Sequence, residues 1–224
     1  MISLTIFDIM GPIMVGPSSS HTAGAVRIGL VANRLLGSVP QRAEILLHGS
    51  FAATGAGHGT DRAIVAGLLG MGPDDSEIPY SFQLAAQAGM AVTLRPVELR
   101  HAHPNTAVLN LTGRNGRTLS VSASSLGGGR IRVNAIDGME ASFSGTCPTL
   151  IIRNEDRPGI LAEVAHTLSC YNANIATMQL YRDRRGGLAV MVIECDVPIP
   201  EDVRTQLSSL NGVVRCTYLD MEGV

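Results

Sequence analysis

Near its N-terminus the chain carries the polar stretch Gly16-Pro17-Ser18-Ser19-Ser20-His21-Thr22-Ala23-Gly24. Beyond it, apolar residues recur at helical spacing, so we predict a helix whose N-cap is Thr22 or Ser20. Backbone N–H groups, hydroxyls and the positive helix end then point the same way, which suits a carboxylate or a phosphate. The alternative is a capped serine-rich turn with a solvated histidine.

The residues around this stretch predict alternating strands and helices. Strands are predicted over residues 3–9, 42–48, 92–99, 107–111, 118–123 and 130–136, and further helices over 62–71 and 81–89. Pro96 indicates an edge strand, and Asn115-Gly116 indicates a hairpin. The glycines of residues 127–129 let a ligand or a partner approach the backbone closely, or they form a flexible turn.

A second candidate loop covers residues 49–61. Four glycines there, with hydroxyls and His58, follow a predicted strand and precede a predicted helix. The Lys-Ser/Thr pair of a nucleotide-binding P-loop is missing, so the phosphate signal is weak. The alternative is that these glycines only allow a tight turn.

A second domain begins after a boundary at residues 142–148. We predict domains over residues 1–146 and 147–224. The second has the order β-α-β-β-α-β, with strands over 149–153, 174–182, 188–195 and 213–219, a helix from Ile160 and another over 201–210. A unit of about 75 residues with exposed sheet edges is marginal alone, so we expect it to pair with another copy or to dock on the first domain.

The composition excludes several classes of function. The 224 residues include 17 Lys and Arg against 19 Asp and Glu, for a formal net charge of −2, and 4% are aromatic. This balance does not favour a nucleic-acid surface. No apolar run reaches the length of a membrane span, and the N-terminus lacks the pattern of a signal peptide. We therefore expect a cytoplasmic protein with neither a nucleic-acid nor a membrane partner.

The cysteines and paired histidines do not indicate a metal site. Cys147, Cys170, Cys195 and Cys216 are widely spaced without a C-x-x-C pair, so we expect buried thiols without disulfides. His101 and His103 alternate along a strand, but the turn that follows adds no third ligand. We predict no metal bound by this chain, with His103 and Asn105 as polar groups on a proline-fixed turn.

Two segments of the second domain carry a resemblance to a known family. Asn154-Glu155-Asp156-Arg157-Pro158-Gly159-Ile160-Leu161 and Asn172-Ala173-Asn174-Ile175 are similar to the motifs of ACT domains, which bind amino acids. The resemblance implies an effector pocket formed by Asp156, Gly159, Ile160, Leu161 and Asn174. The Gly159 N–H would hold the effector carboxylate, and Asn174 its amino group. The alternative is a dimerisation module without a ligand.

Four runs of the first domain resemble the β chain of bacterial iron–sulfur L-serine dehydratase. They are Gly16–Thr22, Gly57–Asp61, His103–Thr106 and Ser125–Gly129. The resemblance implies an α+β protein, with an N-terminal mixed α/β serine dehydratase beta-type domain followed by a βαββαβ ferredoxin-like ACT domain. The resemblance also implies a separate α chain that ligates a [4Fe–4S] cluster. This sequence fits that division, since its four cysteines lie outside the four runs.

The implied reaction converts L-serine to pyruvate and ammonia, in amino-acid metabolism and gluconeogenesis. The cluster would act as a Lewis acid on the serine hydroxyl. By resemblance, Ser18, Ser19, Ser20 and Thr22 would hold the substrate carboxylate. The groups at the mouth facing the α chain would be His21, His58, His103 and Asn105. The catalytic base would come from these groups or from the partner. L-serine is also a possible effector, and we expect homo-oligomers through the ACT or the N-terminal domain.

Two other functions remain open from the sequence. The first is a non-catalytic regulatory protein that senses an amino acid, because the first domain more distantly resembles the regulatory substrate-binding domain of some phosphoglycerate dehydrogenases. The second is an unaided hydrolase that uses Ser20 and His21. The hydrolase is disfavoured, because adjacent residues rarely aim at each other and no nucleophile elbow is present.

Overall fold

A computed structural model describes residues 13–221, and the strand predicted over residues 3–9 lies outside them. The chain divides into two compact units after Asp137. We describe each unit by itself.

The first unit begins with one π-helical turn, Ser19–Ala23, which continues into a helix. Its helices are α1 (Gly24–Leu36), α2 (Ser50–His58), α3 (Thr60–Leu68) and α4 (Ser81–Gln87), with a 3₁₀ turn at Ile78–Tyr80. Its strands are β1 (Arg42–His48), β2 (Ala91–Val97), β3 (Thr106–Thr112), β4 (Thr118–Gly127) and β5 (Arg130–Ile136).

The strands of this unit pair in the order β2-β1-β3-β4-β5. β2 runs parallel to β1, and the other neighbours are antiparallel. The edge position predicted from Pro96 is confirmed, since β2 is the outermost strand. On β1 the alternate residues Ala43, Ile45 and Leu47 are buried, as period-two patterning predicts.

Helices α1 and α3 cross with their backbones in contact. A Cβ added at Gly29 would lie 2.2 Å from the Ile64 carbonyl oxygen, and one added at Gly67 would lie 2.0 Å from the Val26 carbonyl oxygen. Glycine at both positions is what permits this close crossing.

The second unit has the predicted order of elements. After β6 (Met139–Phe143) it contains β7 (Thr149–Glu155), α5 (Ile160–Cys170), β8 (Ile175–Arg182), β9 (Leu188–Cys195), α6 (Glu201–Ser209) and β10 (Val213–Leu219). The last four strands form an antiparallel sheet in the order β10-β7-β9-β8. Its core includes Leu150, Ile152, Val164, Leu168 and Leu207. The α+β class and the βαββαβ order are confirmed.

Several local predictions are wrong. Residues 49–61 are not a loop, because residues 50–58 are helical and Gly59, at φ +70°, only bends the chain into α3. The first helical turn is capped by Ser18, which lies two residues before Ser20 and four before Thr22, the two predicted N-caps. β6 was not predicted.

Two further results concern the burial of the cysteine side chains and the length of the helices. Of the thiols expected to be buried, only Cys195 is fully so, and Cys170 is exposed; all four cysteines are free. Within residues 13–221 no helix has the length and apolar character needed to span a membrane.

Candidate active-site junction

The serine-rich stretch forms a compact turn that presents His21. The Ser18 hydroxyl accepts a hydrogen bond from the His21 N–H at 3.2 Å, and the Ser18 carbonyl accepts one from the Thr22 N–H at 2.8 Å. Gly16 closes the turn against Thr22, because a Cβ there would lie 2.5 Å from the threonine Oγ1. Thr22 is only 2% exposed. Contrary to the prediction, its hydroxyl does not line an open site.

The His21 imidazole lies against one side of α2. Its Nε2 is 3.1 Å from the Ser50 hydroxyl and 3.1 Å from the Thr54 hydroxyl, and its ring centroid is 5.1 Å from that of His58. These three partners are spaced i, i+4 and i+8, which places them on one helix face. Phe51 packs edge-on against the same imidazole. The structure therefore brings the imidazoles of His21 and His58 together.

The pKa of His21 is lowered from its ordinary value of 6.5, first by partial burial and second by the neighbouring His58, against an opposing hydrogen bond with Ser50. The imidazole is therefore predominantly neutral at pH 7. A neutral imidazole can accept a proton, and here hydroxyls from α2 surround it.

A tight backbone contact joins the run His103–Thr106 to the start of α2. The Ser50 N–H donates to the Pro104 carbonyl at 2.8 Å, and a Cβ at Gly49, where φ is +56°, would lie 2.7 Å from that oxygen. His103 accepts a hydrogen bond from the Asn105 N–H through Nδ1 at 3.1 Å. The described contacts thus link His103 and Asn105 to the junction through the backbone.

The triple-glycine turn packs on the serine-rich turn. All three glycines, residues 127–129, have positive φ. The Gly128 N–H donates to the Ser19 hydroxyl at 3.3 Å, and a Cβ at Gly127 would lie 3.7 Å from the Ser20 hydroxyl. Arg27 donates to the Gly129 carbonyl at 3.1 Å. All four runs that carried the resemblance therefore meet at one junction, which we call the His21 junction.

Four members of this junction were not predicted from the sequence: Arg27, Ser50, Phe51 and Thr54. Ser50 and Thr54 lay in a stretch assigned to a loop, and only a helical assignment reveals their i, i+4 spacing. Arg27, an ordinary cation on a predicted helix, gave no signal.

The described residues of this chain do not fit the ligand set of an iron–sulfur cluster. All four cysteines lie in the second unit, and burial raises the pKa of the Cys195 thiol to about 11, which disfavours a thiolate ligand. Across residues 13–221, no three His, Cys, Asp or Glu side chains are grouped so as to hold a metal ion.

The residues predicted to bind an effector do not all meet within one copy of the second unit. Asp156 accepts from the Gly186 N–H at 2.9 Å and contacts Arg182 at 3.4 Å, at the C-terminal end of β8. Asn174 donates to Asp196 at the other end of β8. The seven residue steps of β8 separate its two ends by roughly 23 Å. Gly159, at φ +94°, begins α5 beside Asp156, with Ile160 in the core and Leu161 41% exposed.

Both units match known family models. Residues 5–95 match the model described as serine dehydratase beta chain, and residues 148–212 match the ACT domain model. These two matches identify the chain as a serine dehydratase beta-type protein with an ACT domain.

Curated relatives extend the match to nearly the whole chain. The chain is 39% identical to "Probable L-serine dehydratase, beta chain" of Bacillus subtilis, over 96% of this chain and 97% of the relative. It is 35% identical to "L-serine dehydratase, beta chain" of Peptoniphilus asaccharolyticus, over 99% and 100% respectively. The chain belongs to the L-serine dehydratase beta chain family. It is also 34% identical to "L-serine dehydratase" of Mycobacterium bovis, over 61% of this chain but only 34% of that longer relative.

Proposed function

We propose that this chain completes the active site in which L-serine is converted to pyruvate and ammonia, together with an α chain. The observation that carries the proposal is the His21 junction, where a neutral imidazole and several hydroxyls from separate segments converge. The enzymatic function is favoured over a purely sensory one, because the relatives matched over nearly their whole length are called L-serine dehydratase beta chains.

In the proposed reaction, L-serine loses its Cα proton and its β-hydroxyl to give an enamine. The enamine tautomerises to an imine, water adds to the imine carbon, and ammonia leaves to give pyruvate. Atoms balance, since the water lost in the first stage is regained in the second. The Ser18, Ser19 and Ser20 hydroxyls are proposed to hold the substrate carboxylate, and His21 to accept the Cα proton. His58, His103 and Asn105 are proposed as further polar groups of this site.

The cofactor is proposed to belong to the partner. The described residues do not form a cluster ligand set, so a [4Fe–4S] cluster, which is the expected Lewis acid, is assigned to the α chain. The longer Mycobacterium relative supports a partner of this kind, because about two-thirds of its length has no counterpart in this chain.

The second unit is proposed to bind L-serine as an effector between two copies of the chain. Asp156 and Asn174 lie at opposite ends of β8 in one copy, so a pocket that uses both needs a second copy. We place the enzyme in the cytoplasm, where the pyruvate formed from serine enters gluconeogenesis. We propose that its domains cover residues 1–146 and 147–224.

The test is co-expression with the α chain of the same organism under anaerobic conditions, followed by pyruvate formation from L-serine. We expect activity to require both chains, and the His21→Ala variant to lose about 100-fold or more in kcat/KM, as is typical for the loss of a general base. His166→Ala, on an exposed position of α5, is the matched control and should retain activity. Activity from the α chain alone, or full activity of His21→Ala, would refute the proposal.

A further inference from the structure

Helix α2 has an exposed face that nothing in the described chain covers. Ser50, Thr54 and His58 on one side contact His21, while Phe51 packs into the interior. Ala52, Ala53 and Gly57 are exposed. No Asp, Glu, Lys or Arg occurs from residue 49 to residue 60. An exposed helix face without any charged side chain is unusual for a surface in contact only with water.

A groove runs along α2 beside Ala52 and Ala53. Its lining is mostly uncharged, with the charged pair Glu98 and Arg100 following the end of β2: His48, Gly49, Ala52, Ala53, Pro96, Val97, Glu98, Leu99 and Arg100. The groove lies between α2 and the C-terminal end of the edge strand β2. The uncharged helix face and the groove therefore form one continuous surface.

Gly57 gives an independent reason to expect a partner on this surface. Glycine in a helix costs up to about 1 kcal/mol relative to alanine. At Gly29 and Gly67 this chain needs glycine, because a Cβ would strike backbone atoms. At Gly57 an added Cβ would meet no atom of residues 13–221 within 4 Å. The packing of these residues thus does not require a glycine at position 57, whereas the close approach of another backbone would.

We propose that the exposed face of α2 and the adjoining groove are the surface on which the α chain docks. The inference rests on the proposed function. Relatives matched over nearly their full length are named as beta chains, and the longer relative carries about two-thirds of its length outside the match, so a large partner is expected. α2 holds the hydroxyls around His21 on its adjacent side, so a chain docked there reaches the His21 junction.

The chemistry of the docked segment follows from the surface. The groove fits a segment with large apolar side chains, and the crest at Ala53 and Gly57 fits a backbone that approaches closely. Charged side chains are not expected opposite Ala53 and Gly57, because the face of α2 offers them no partner. Charged groups of the segment would instead lie toward Glu98 and Arg100 in the groove.

The test measures the affinity of purified beta chain for the α chain, using Gly57→Arg and Ala53→Arg. The control is Ala86→Arg, on an exposed position of α4 in the same unit. We expect both α2 variants to bind at least about 100-fold more weakly and the control to bind within threefold of wild type, because a charge placed in an interface centre is desolvated without a partner. Thermal unfolding of isolated Gly57→Arg should match or exceed wild type, since arginine favours helix over glycine.

The outcomes separate this inference from the proposed function. Binding of both α2 variants within threefold of wild type overturns the docking surface, as does failure of the wild-type chain to bind the α chain. A wild-type complex that is lost on Gly57→Arg but forms no pyruvate supports the docking surface and refutes the proposed function.

Discussion

Both units place a loop at the start of a helix, but the two loops are built differently. In the first unit the serine-rich turn contacts α2 and the triple-glycine turn, and α2 in turn holds the proline turn. In the second unit the loop that contains Asp156 contacts the β8–β9 hairpin and, through Arg157, the carbonyl of Asn211 before β10, whereas Asn174 lies at the far end of β8. One chain therefore preassembles the His21 junction, whereas the residues of the proposed effector pocket are separated within one copy.

The largest expected effect tests whether the close crossing of α1 and α3 supports the His21 junction. Gly67→Ala should destabilise the first unit by about 3 kcal/mol, because the new methyl group meets backbone atoms of α1 that cannot move independently. Hydrogen exchange should show faster opening of α1 and α3, with β7 and β9 unchanged.

Gly57→Ala is the matched control for this prediction. The same substitution is made in the same unit, but into open space, so it should stabilise the isolated chain by up to about 1 kcal/mol. Equal effects of the two substitutions would show that the close crossing of α1 and α3 is not what supports the junction.

A smaller effect concerns the protonation of His21. Its pKa is lower in the folded chain than its ordinary value of 6.5, so between these two values the unfolded chain binds more protons and stability rises with pH. As the pH falls below about 6.5, the wild type should therefore lose stability relative to His21→Gln. Urea midpoints of both proteins from pH 7.5 to pH 5 measure the difference, and parallel curves would contradict the lowered pKa.

The smallest effect is expected in the loop of the second unit. Arg182→Ala removes the 3.4 Å ion pair with Asp156, but the arginine side chain is 58% exposed. Pairs of this exposure contribute about 0 to 1 kcal/mol, so the urea midpoint should hardly change. A loss well above 1 kcal/mol would mean that this loop is as firmly assembled as the His21 junction, and the comparison would fail.

The sequence was informative where patterning is local. β1, β5, β9 and β10 have the predicted bounds, because alternation and turn residues act over a few positions. α2 was missed because its glycines argue against a helix, and burial of Phe51 outweighs that propensity. The partners of His21 were missed because they lie 29 and 33 residues away, where no local pattern links them to the histidine.

The parallel pairing of β1 with β2 has a consequence for the order of folding. β3 and β4 are joined by a short turn, whereas β1 and β2 are joined by a crossover of about 40 residues that contains α2. Closing the longer loop costs roughly 2 kcal/mol more in chain entropy, so this pairing should form after the β3–β4 hairpin. The hydroxyls that surround His21 lie within that crossover. A newly synthesised chain should therefore complete the His21 junction after the β3–β4 hairpin has formed.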